Sequence, residues 1–151
     1  MKILPPFLLG SLLFSACATS ATFAEGKAFQ DKAAQEPGAV RTDSGLIYQE
    51  TQAGTGPSPT ASAVVKVHYR GTLIDGTEFD SSYKRSAPET FALNDVIPCW
   101  TEGLRRMKAG GKARLICPPE LAYGHRGVPP VIRGGSTLVF DVELVEIRPK
   151  P

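Results

Sequence analysis

The side chains best able to do chemistry are concentrated in HYRGTLIDGTEFDSS, from His68 to Ser82, which holds one histidine, two aspartates and two adjacent serines. A hydrolase would need one of these serines beside a base, on a tight turn flanked by glycines. Ser81 and Ser82 instead follow a predicted strand, with no glycine beside them. The second histidine, His125, lies in a predicted loop. The stretch therefore does not indicate nucleophilic catalysis.

The sequence also gives no indication of a metal, phosphate or nucleic-acid site. The histidines and cysteines show neither an HExxH pattern nor a zinc-ligand spacing, and there is no glycine-rich phosphate loop. The formal net charge is +2 and the basic residues are scattered rather than grouped, which is not typical of a nucleic-acid surface. We therefore expect no cofactor and no nucleic-acid partner.

Aromatic side chains form a second concentration, on or beside the predicted structural elements. They are Tyr69, Phe79, Phe91, Trp100, Tyr123 and Phe140. Most buried aromatics belong to an ordinary core, but a buried tyrosine hydroxyl or tryptophan N–H needs a hydrogen-bond partner. A pocket lined by aromatics with a few polar tips suits a small apolar ligand. With a carboxylate nearby, this set fits a binding pocket better than a plain core.

Short strands are the elements that must position these rings. In VVKVHYRGTL, from Val64 to Leu73, apolar and polar residues alternate with the period of a strand. Asp75-Gly76 predicts a hairpin turn after it. The same alternation recurs in TLVFDVELVEI, residues 137–147, and shorter strands are predicted in GLIYQET, EFDSS, TFAL and KARLIC.

One helix is predicted in CWTEGLRRMKAGG, residues 99–111. Trp100, Leu104 and Met107 are spaced to share one face of it, and Gly110-Gly111 is expected to end it. About five antiparallel strands and one short helix predict an α+β fold, in which the helix packs on one face of a curled sheet.

The first 24 residues have the order of a secretory signal: a lysine, an apolar run over residues 7–16, then small residues. The apolar run is shorter than the roughly 20 residues that span a bilayer. FSAC, ending at Cys17, resembles a bacterial lipobox, in which the cysteine is acylated. The alternative is ordinary cleavage after Ala24. Either way we expect an exported protein, in the periplasm, anchored to the outer membrane on its periplasmic side, or at the cell surface.

The next segment, residues 25–44, is polar and alanine-rich and is broken by Pro37-Gly38. It has too few apolar residues to bury much surface, so we predict a flexible tether. It also has no heptad pattern, which predicts a monomer. Residues 45–149 are the predicted folded domain.

Four motifs, taken in order and with their spacing, resemble the FKBP-type peptidyl-prolyl cis-trans isomerases: VHYRGTLIDGTEFDSS, VIPCWTEGL, PPELAYG and STLVFDVELVEI. The resemblance covers about Gly45 to Ile147 and implies a half-barrel of antiparallel sheet wrapped around the helix, with the pocket between them. With its signal, the chain is similar to exported bacterial members, including the macrophage infectivity potentiator group, without their long dimerisation helix. The activity implied is isomerisation of X–Pro bonds in exported clients. The alternative is a chaperone or surface interaction factor that holds peptides in the same pocket without turnover.

The resemblance also implies roles for individual residues. Asp80, Tyr123 and Tyr69 are assigned to catalysis, with the Tyr123 hydroxyl and the Ile97 backbone N–H donating to the substrate. The expected substrate-binding residues are Phe79, Arg85, Phe91, Val96, Ile97, Trp100, Val131, Ile132 and Phe140. Proline-containing polypeptides are the implied partners, with macrolides of the rapamycin type as a further ligand class. Glu89 and Val128 depart from the family pattern at the rim of the pocket, which bears on substrate preference and macrolide affinity.

The three cysteines leave one residue unpaired by count. If Cys17 carries lipid, Cys99 and Cys117 remain, and a bridge between them is expected. The alternative is a pair of buried thiols, since free cysteine is among the most buried residue types.

Overall fold

In a computed structural model that describes residues 16–148, an antiparallel sheet surrounds a short helix. Seven strands are present in this part of the chain: β1 (Ala39–Arg41), β2 (Ile47–Gln52), β3 (Val64–Leu73), β4 (Glu78–Ser81), β5 (Glu89–Ala92), β6 (Lys112–Cys117) and β7 (Leu138–Arg148). The helices are α1 (Ala16–Ala33) and α2 (Pro98–Arg106). The predicted α+β class is confirmed, with more strands than expected and a second helix.

The sheet has the order β1-β2-β6-β7-β3-β4, and β5 also pairs with β3. Strands β4 and β5 use the same edge of β3, at Arg70–Thr72 and Val64–Val67 respectively. The two longest strands, β3 and β7, pair from Val64 opposite Arg148 to Leu73 opposite Leu138. They are the two segments whose alternation was clearest in the sequence, and together they form the centre of the sheet.

The alternation decides which side chains reach the core. Val65, Val67 and Tyr69 of β3 are fully buried, and they belong to one cluster with the buried face of α2. On that face, Trp100 and Leu104 are closed to solvent. The fold thus places the aromatic residues of the long strands against the predicted helix.

The expected end of the helix was wrong. Helix α2 ends at Arg106, not at Gly110-Gly111. Met107 has already left the helical conformation, with φ −85° and ψ 161°, although its side chain stays buried. Gly110, with φ 89°, turns the chain toward β6 instead, and only glycine adopts this conformation at low cost.

The predicted flexible tether, residues 25–44, is the main point at which the structure differs from the prediction. The segment is helical as far as Ala33 and then forms β1. Phe29 and Ala33 pack on a second buried patch of the sheet, made by Ile47, Ile116 and Val139. Burial of this small apolar area orders a segment whose composition is mostly polar.

A single buried hydrogen bond adds to this attachment of α1. Gln30 Nε2 donates to Thr137 Oγ1 at 2.8 Å, and both residues are buried. Gly26 lies so close to Thr137 that a Cβ at this position would be 2.4 Å from the threonine Oγ1. Residues 1–15, which carry most of the predicted signal, lie outside the described residues. Between residues 16 and 148, no helix combines the length and the apolar character needed to cross a membrane.

Candidate functional site

Trp100 lies at the centre of a cluster of perpendicular rings. The rings of Tyr69, Phe91 and Phe140 meet it at centroid distances of 5.1, 5.4 and 5.4 Å, with interplanar angles of 81° to 84°. Phe79 packs on Phe140 in the same way, at 5.5 Å and 88°. Edge-to-face contacts of this kind add to the stabilisation from burial alone. The sequence singled out all five residues, and the fold brings them together.

The start of α2 fixes Trp100 in place. Pro98 is the first helical residue, where its missing N–H leaves no orphan donor and its φ suits the helix. Thr101 Oγ1 donates to the carbonyl of Leu93 at 2.6 Å, tying the first turn to the preceding segment. At Gly103 a Cβ would lie 2.8 Å from both methyl groups of Leu115. Glycine at this position therefore lets α2 approach β6 closely.

Gly71 of β3 makes room for two of the rings. A Cβ at this position would lie 2.6 Å from Phe79 Cζ and 2.9 Å from Phe140 Cε1. Since real Cβ atoms do not approach neighbours so closely, any larger residue would displace a ring. The glycine in the HYRGTL motif is thus required by the geometry of the cluster.

A closed network of polar atoms lies beside the rings. The Tyr69 hydroxyl donates to Asp80 Oδ2 at 2.7 Å, Arg85 Nη1 donates to Asp80 Oδ1 at 2.9 Å, and Arg85 Nη2 donates to the Tyr69 hydroxyl at 2.8 Å. The Ser81 N–H donates to Asp80 Oδ1 at 2.9 Å. The carboxylate is almost fully buried, with 1% of its side chain exposed. The charge is therefore compensated by a cation and by two further donors, as buried charges require.

Two groups of this network, Tyr69 and Arg85, have raised pKa values and stay protonated. Burial, followed by the hydrogen bond to Asp80, raises the pKa of Tyr69 well above its ordinary value. The hydrogen bond to Asp80 likewise raises the pKa of Arg85, which stays charged. Arg85 also donates through Nε to Glu89 Oε1 at 2.9 Å. Tyr69 thus acts as a neutral hydrogen-bond donor at any physiological pH, which suits an orienting role and not that of a base.

The raised pKa of Tyr69 predicts a loss of stability at alkaline pH. Above about pH 10 the unfolded chain ionises this tyrosine and the folded chain does not, so the free energy of unfolding falls as pH rises. We expect Tyr69→Phe to have a shallower fall than the wild type above that pH. Urea denaturation at intervals from pH 8 to pH 11 measures both slopes. If the free energy of unfolding fell equally steeply with pH in both proteins, the pKa of Tyr69 would not be raised by folding.

The other predicted residues lie around the cluster. Val96 and Ile97 are 8% and 0% exposed and belong to the same core as Trp100. Tyr123 is partly buried and packs on that core from the turn after β6. Ile132 is buried there too, whereas Val131 is 38% exposed. The two neighbours on this loop thus face different environments.

Two donors near the rings have no protein acceptor among the described residues. Trp100 Nε1 is buried and unpaired over residues 16–148. No backbone carbonyl in the same range accepts a hydrogen bond from the Ile97 N–H, although the Ile97 carbonyl accepts from Trp100 and Thr101. Buried unpaired donors are rare in native proteins, and each requires an explanation such as an ordered water or a functional role. The Ile97 N–H is the donor that the family resemblance assigned to the substrate.

Ser82, which the sequence places after a predicted strand, has a structural role that its sequence context did not indicate. Ser82 is fully buried, and its Oγ accepts a hydrogen bond from the Tyr69 N–H at 2.8 Å. His68 Nδ1 shares the same oxygen at 2.9 Å, and the His68 ring stacks on Tyr83 at 4.7 Å. Tyr69 lies six residues before Asp75, and Ser82 lies six residues after Gly76. Counting outward from the predicted hairpin turn would therefore have placed them opposite each other.

A disulfide joins the site's helix to the sheet. Cys99, the residue before Trp100, is bridged to Cys117 at the end of β6, with 5.7 Å between the Cα atoms. Both residues are fully buried. The bridge fixes the first turn of α2, and with it the indole ring, to the strand behind it. The side chain of Cys17 lies outside the described part of the structure.

Fold, ring cluster and buried network together define the class of protein. The chain belongs to the FKBP-type peptidyl-prolyl cis-trans isomerase family, whose model matches residues 56–145. Among curated proteins it is similar to the FKBP-type isomerase FkpA of Escherichia coli, with 54% identity over 128 residues, covering 85% of this chain and 47% of that protein. The resemblance predicted from the four motifs is thereby confirmed.

A second relative and a solved structure agree with this placement. The chain is 45% identical over 126 residues to the peptidyl-prolyl cis-trans isomerase Mip of Coxiella burnetii, covering 83% of this chain and 55% of that protein. The crystal structure of FkpA from Escherichia coli superposes with a TM-score of 0.87 and 51% identity, over 89% of this chain and 63% of that one. The chain spans about half the length of the curated relatives it matches.

Proposed function

We propose that the chain accelerates cis–trans isomerisation of X–Pro bonds in polypeptide clients, without covalent chemistry. The observation that carries this proposal is the buried Trp100, enclosed by three perpendicular rings beside the Tyr69–Asp80–Arg85 network, in a member of an isomerase family. The arrangement offers an apolar surface with a few oriented polar atoms at its edge. Such a surface suits a proline ring and the amide bond that precedes it.

Rotation of the amide bond needs no nucleophile. Resonance holds the bond planar with a barrier of about 18–20 kcal/mol, and uncatalysed exchange takes roughly tens to hundreds of seconds. In the twisted transition state the amide loses this resonance and its carbonyl oxygen loses partial charge. An apolar site therefore disfavours the planar amide more than the twisted one. Lowering the barrier by ~4 kcal/mol already gives roughly a thousandfold acceleration.

The residues divide into surfaces and donors. In this proposal Trp100 is the floor for the proline ring, and the rings around it are the walls. The Ile97 N–H and the Tyr123 hydroxyl donate to carbonyl groups of the client and hold the chain on either side of the rotating bond. Asp80 and Arg85 keep the Tyr69 hydroxyl in one orientation, so that the wall stays rigid while the bond turns.

A refolding assay tests the proposal directly. An unfolded protein whose slow refolding phase is limited by proline isomerisation should refold faster with catalytic amounts of the chain. A proline-containing tetrapeptide, whose cis and trans forms can be followed separately, should also equilibrate faster. If the chain bound these substrates but accelerated neither reaction, it would be a holding chaperone and not an isomerase.

Replacing Asp80 with alanine is expected to lower kcat/KM on the tetrapeptide about tenfold, which corresponds to roughly 1.4 kcal/mol of transition-state stabilisation. The reason is that Tyr69 loses its acceptor and Arg85 loses its buried partner. Asp141→Ala is a matched control, since it removes an exposed carboxylate paired to Arg114 at 2.9 Å and should leave the rate unchanged. Equal rates for Asp80→Ala and the wild type would remove Asp80 from the site.

We further propose that the clients are exported proteins and that the chain acts outside the cytoplasm as a monomer. Support comes from the signal-like order of residues 1–24 and from the absence of a heptad pattern in residues 25–44. Acylation of Cys17 would add a lipid anchor. Mass spectrometry of the mature chain distinguishes acylation from cleavage after Ala24. Binding of rapamycin-type macrolides is the matching ligand proposal, to be measured by inhibition of the tetrapeptide reaction.

A further inference from the structure

A surface groove of about 350 Å³ lies beside the candidate site, between α1, the β3–β4 hairpin and the loop that leads into β7. Its apolar side is formed by Leu73, Ile74 and Val131, and its charged edge includes Glu25 and Arg133. Its other walls carry further polar groups. No residue of this groove has a part in the mechanism proposed above, except that Val131 belongs to the loop assigned to substrate.

The groove has a fixed wall on its α1 side. The buried hydrogen bond from Gln30 to Thr137 and the close approach of Gly26 to Thr137 hold α1 against the end of the loop. One turn earlier, the Phe23 ring packs on His125 with 4.8 Å between centroids. The wall is therefore attached to the end of the loop through Gly26 and Gln30, which either form of processing leaves in the chain, and to the start of the loop through Phe23, which cleavage after Ala24 would remove.

The groove adjoins the core that contains the ring cluster, and one loop lies between them. Ile132 is 1% exposed and packs in the core that contains Trp100, and its neighbour Val131 is 38% exposed and lines the groove. The two residues are adjacent in sequence, with Cα atoms about 3.8 Å apart, so this loop has the core on one side and the groove on the other. Leu73 also has both roles, since it packs partly on the same core and lines the groove.

We propose that this groove binds the client segment that flanks the isomerised X–Pro bond, as an extended chain with an apolar side chain against Leu73, Ile74 and Val131. This inference rests on the proposed isomerase function. An extended polypeptide advances about 3.3 Å per residue, so a client that lies over Val131 enters the groove within a few residues of the proline. The groove would then give long clients a contact that short peptides lack.

The test uses two series of proline-containing peptides, from four to twelve residues long. One series is extended on the N-terminal side of the proline and the other on the C-terminal side, and KM and kcat are measured for each peptide. For the wild type we expect KM to fall with length on one side while kcat stays constant. Ile74→Ser should remove most of this gain, raising KM for the long peptide roughly fivefold, since one apolar contact is lost. Its rate on the tetrapeptide should match the wild type.

Val145→Ser is the matched control, because Val145 is 42% exposed, lies on β7 and does not line the groove. It should leave the length dependence intact, and circular dichroism melting of both variants checks that they fold. A length gain that is absent, or that survives Ile74→Ser, would overturn the inference. Failure on the tetrapeptide itself would instead overturn the proposed function, so the two outcomes are separate.

Discussion

Replacing Trp100 with alanine is expected to lower the free energy of unfolding by about 3–5 kcal/mol, the usual cost of truncating a buried aromatic side chain. Trp100 is fully buried, and its three edge-to-face partners would face a cavity after truncation. Small domains are stable by only about 5–15 kcal/mol, so the variant should be close to unfolding at physiological temperature. We expect the variant's lower activity to follow mainly from this loss of folded protein, and less from the loss of an indole contact to the substrate.

Urea denaturation followed by circular dichroism measures this effect, because the chain has a single tryptophan and the variant has no indole fluorescence. Tyr83→Ala is the control, since it removes an aromatic side chain from a residue that is 53% exposed and should cost less than about 1 kcal/mol. Trp100→Phe keeps an aromatic floor and should retain most of the stability. Similar midpoints for Trp100→Ala and Tyr83→Ala would show that the indole is not part of the core.

Reducing the Cys99–Cys117 bridge is expected to lower the free energy of unfolding by roughly 3 kcal/mol. The bridge closes a loop with a sequence separation of 18, and a loop of that size restricts the unfolded chain by about this amount. Urea denaturation with and without dithiothreitol gives the difference. The double variant Cys99→Ala, Cys117→Ala should be less stable than the oxidised wild type and insensitive to dithiothreitol.

The comparison with dithiothreitol separates the cross-link from the loss of two buried side chains. Alanine at both positions removes the sulfurs as well as the bond, whereas reduction removes the bond alone. Mass spectrometry of the purified chain without reduction identifies the thiols. Free thiols at both Cys99 and Cys117, or equal stability of the oxidised and reduced wild type, would contradict the prediction.

The long strands could be predicted because apolar and polar residues alternate clearly along them. β3 and β7 are ten and eleven residues long, and apolar residues alternate with polar ones over most of β3 and over the middle of β7. This alternation predicted that Val65, Val67 and Tyr69 share the side of β3 that faces the core. The short helix was predictable from its apolar face, but its last turn was not. The end of α2 depends on packing of Met107 against the core, which overrides the two glycines further along the chain.

The segment from residue 25 to residue 44 could not be predicted for a different reason. Apart from the three-residue pairing of β1 with β2, its attachment rests mainly on one aromatic side chain, Phe29, and on the buried amide of Gln30. The partner of Gln30 is Thr137, more than a hundred residues away in sequence. Contacts that are few and irregularly spaced leave no periodic signal, so composition alone indicated disorder.

Part of the candidate site could be predicted from the sequence and part could not. The rings and Asp80 lie in recognisable motifs, and the structure brings them together. The role of Ser82 depends on strand register, which a turn prediction can supply only when it is carried outward residue by residue. The second contact of Arg85, to Glu89, is a local i, i+4 pair that the sequence displays, but its meaning depends on the first contact to Asp80.

The helix α1, which packs on the sheet, would restrict how the domain is oriented if the chain were attached to a membrane. Its 18 residues correspond to a rod of about 27 Å, and Cys17 is its second residue. An acyl group on Cys17 would thus be linked to the domain by a rigid strut whose far end is fastened to the sheet through Phe29 and Gln30. The domain would hold a preferred tilt relative to the lipid surface, and the loop that carries Val131, where we propose that clients bind, would face a defined direction.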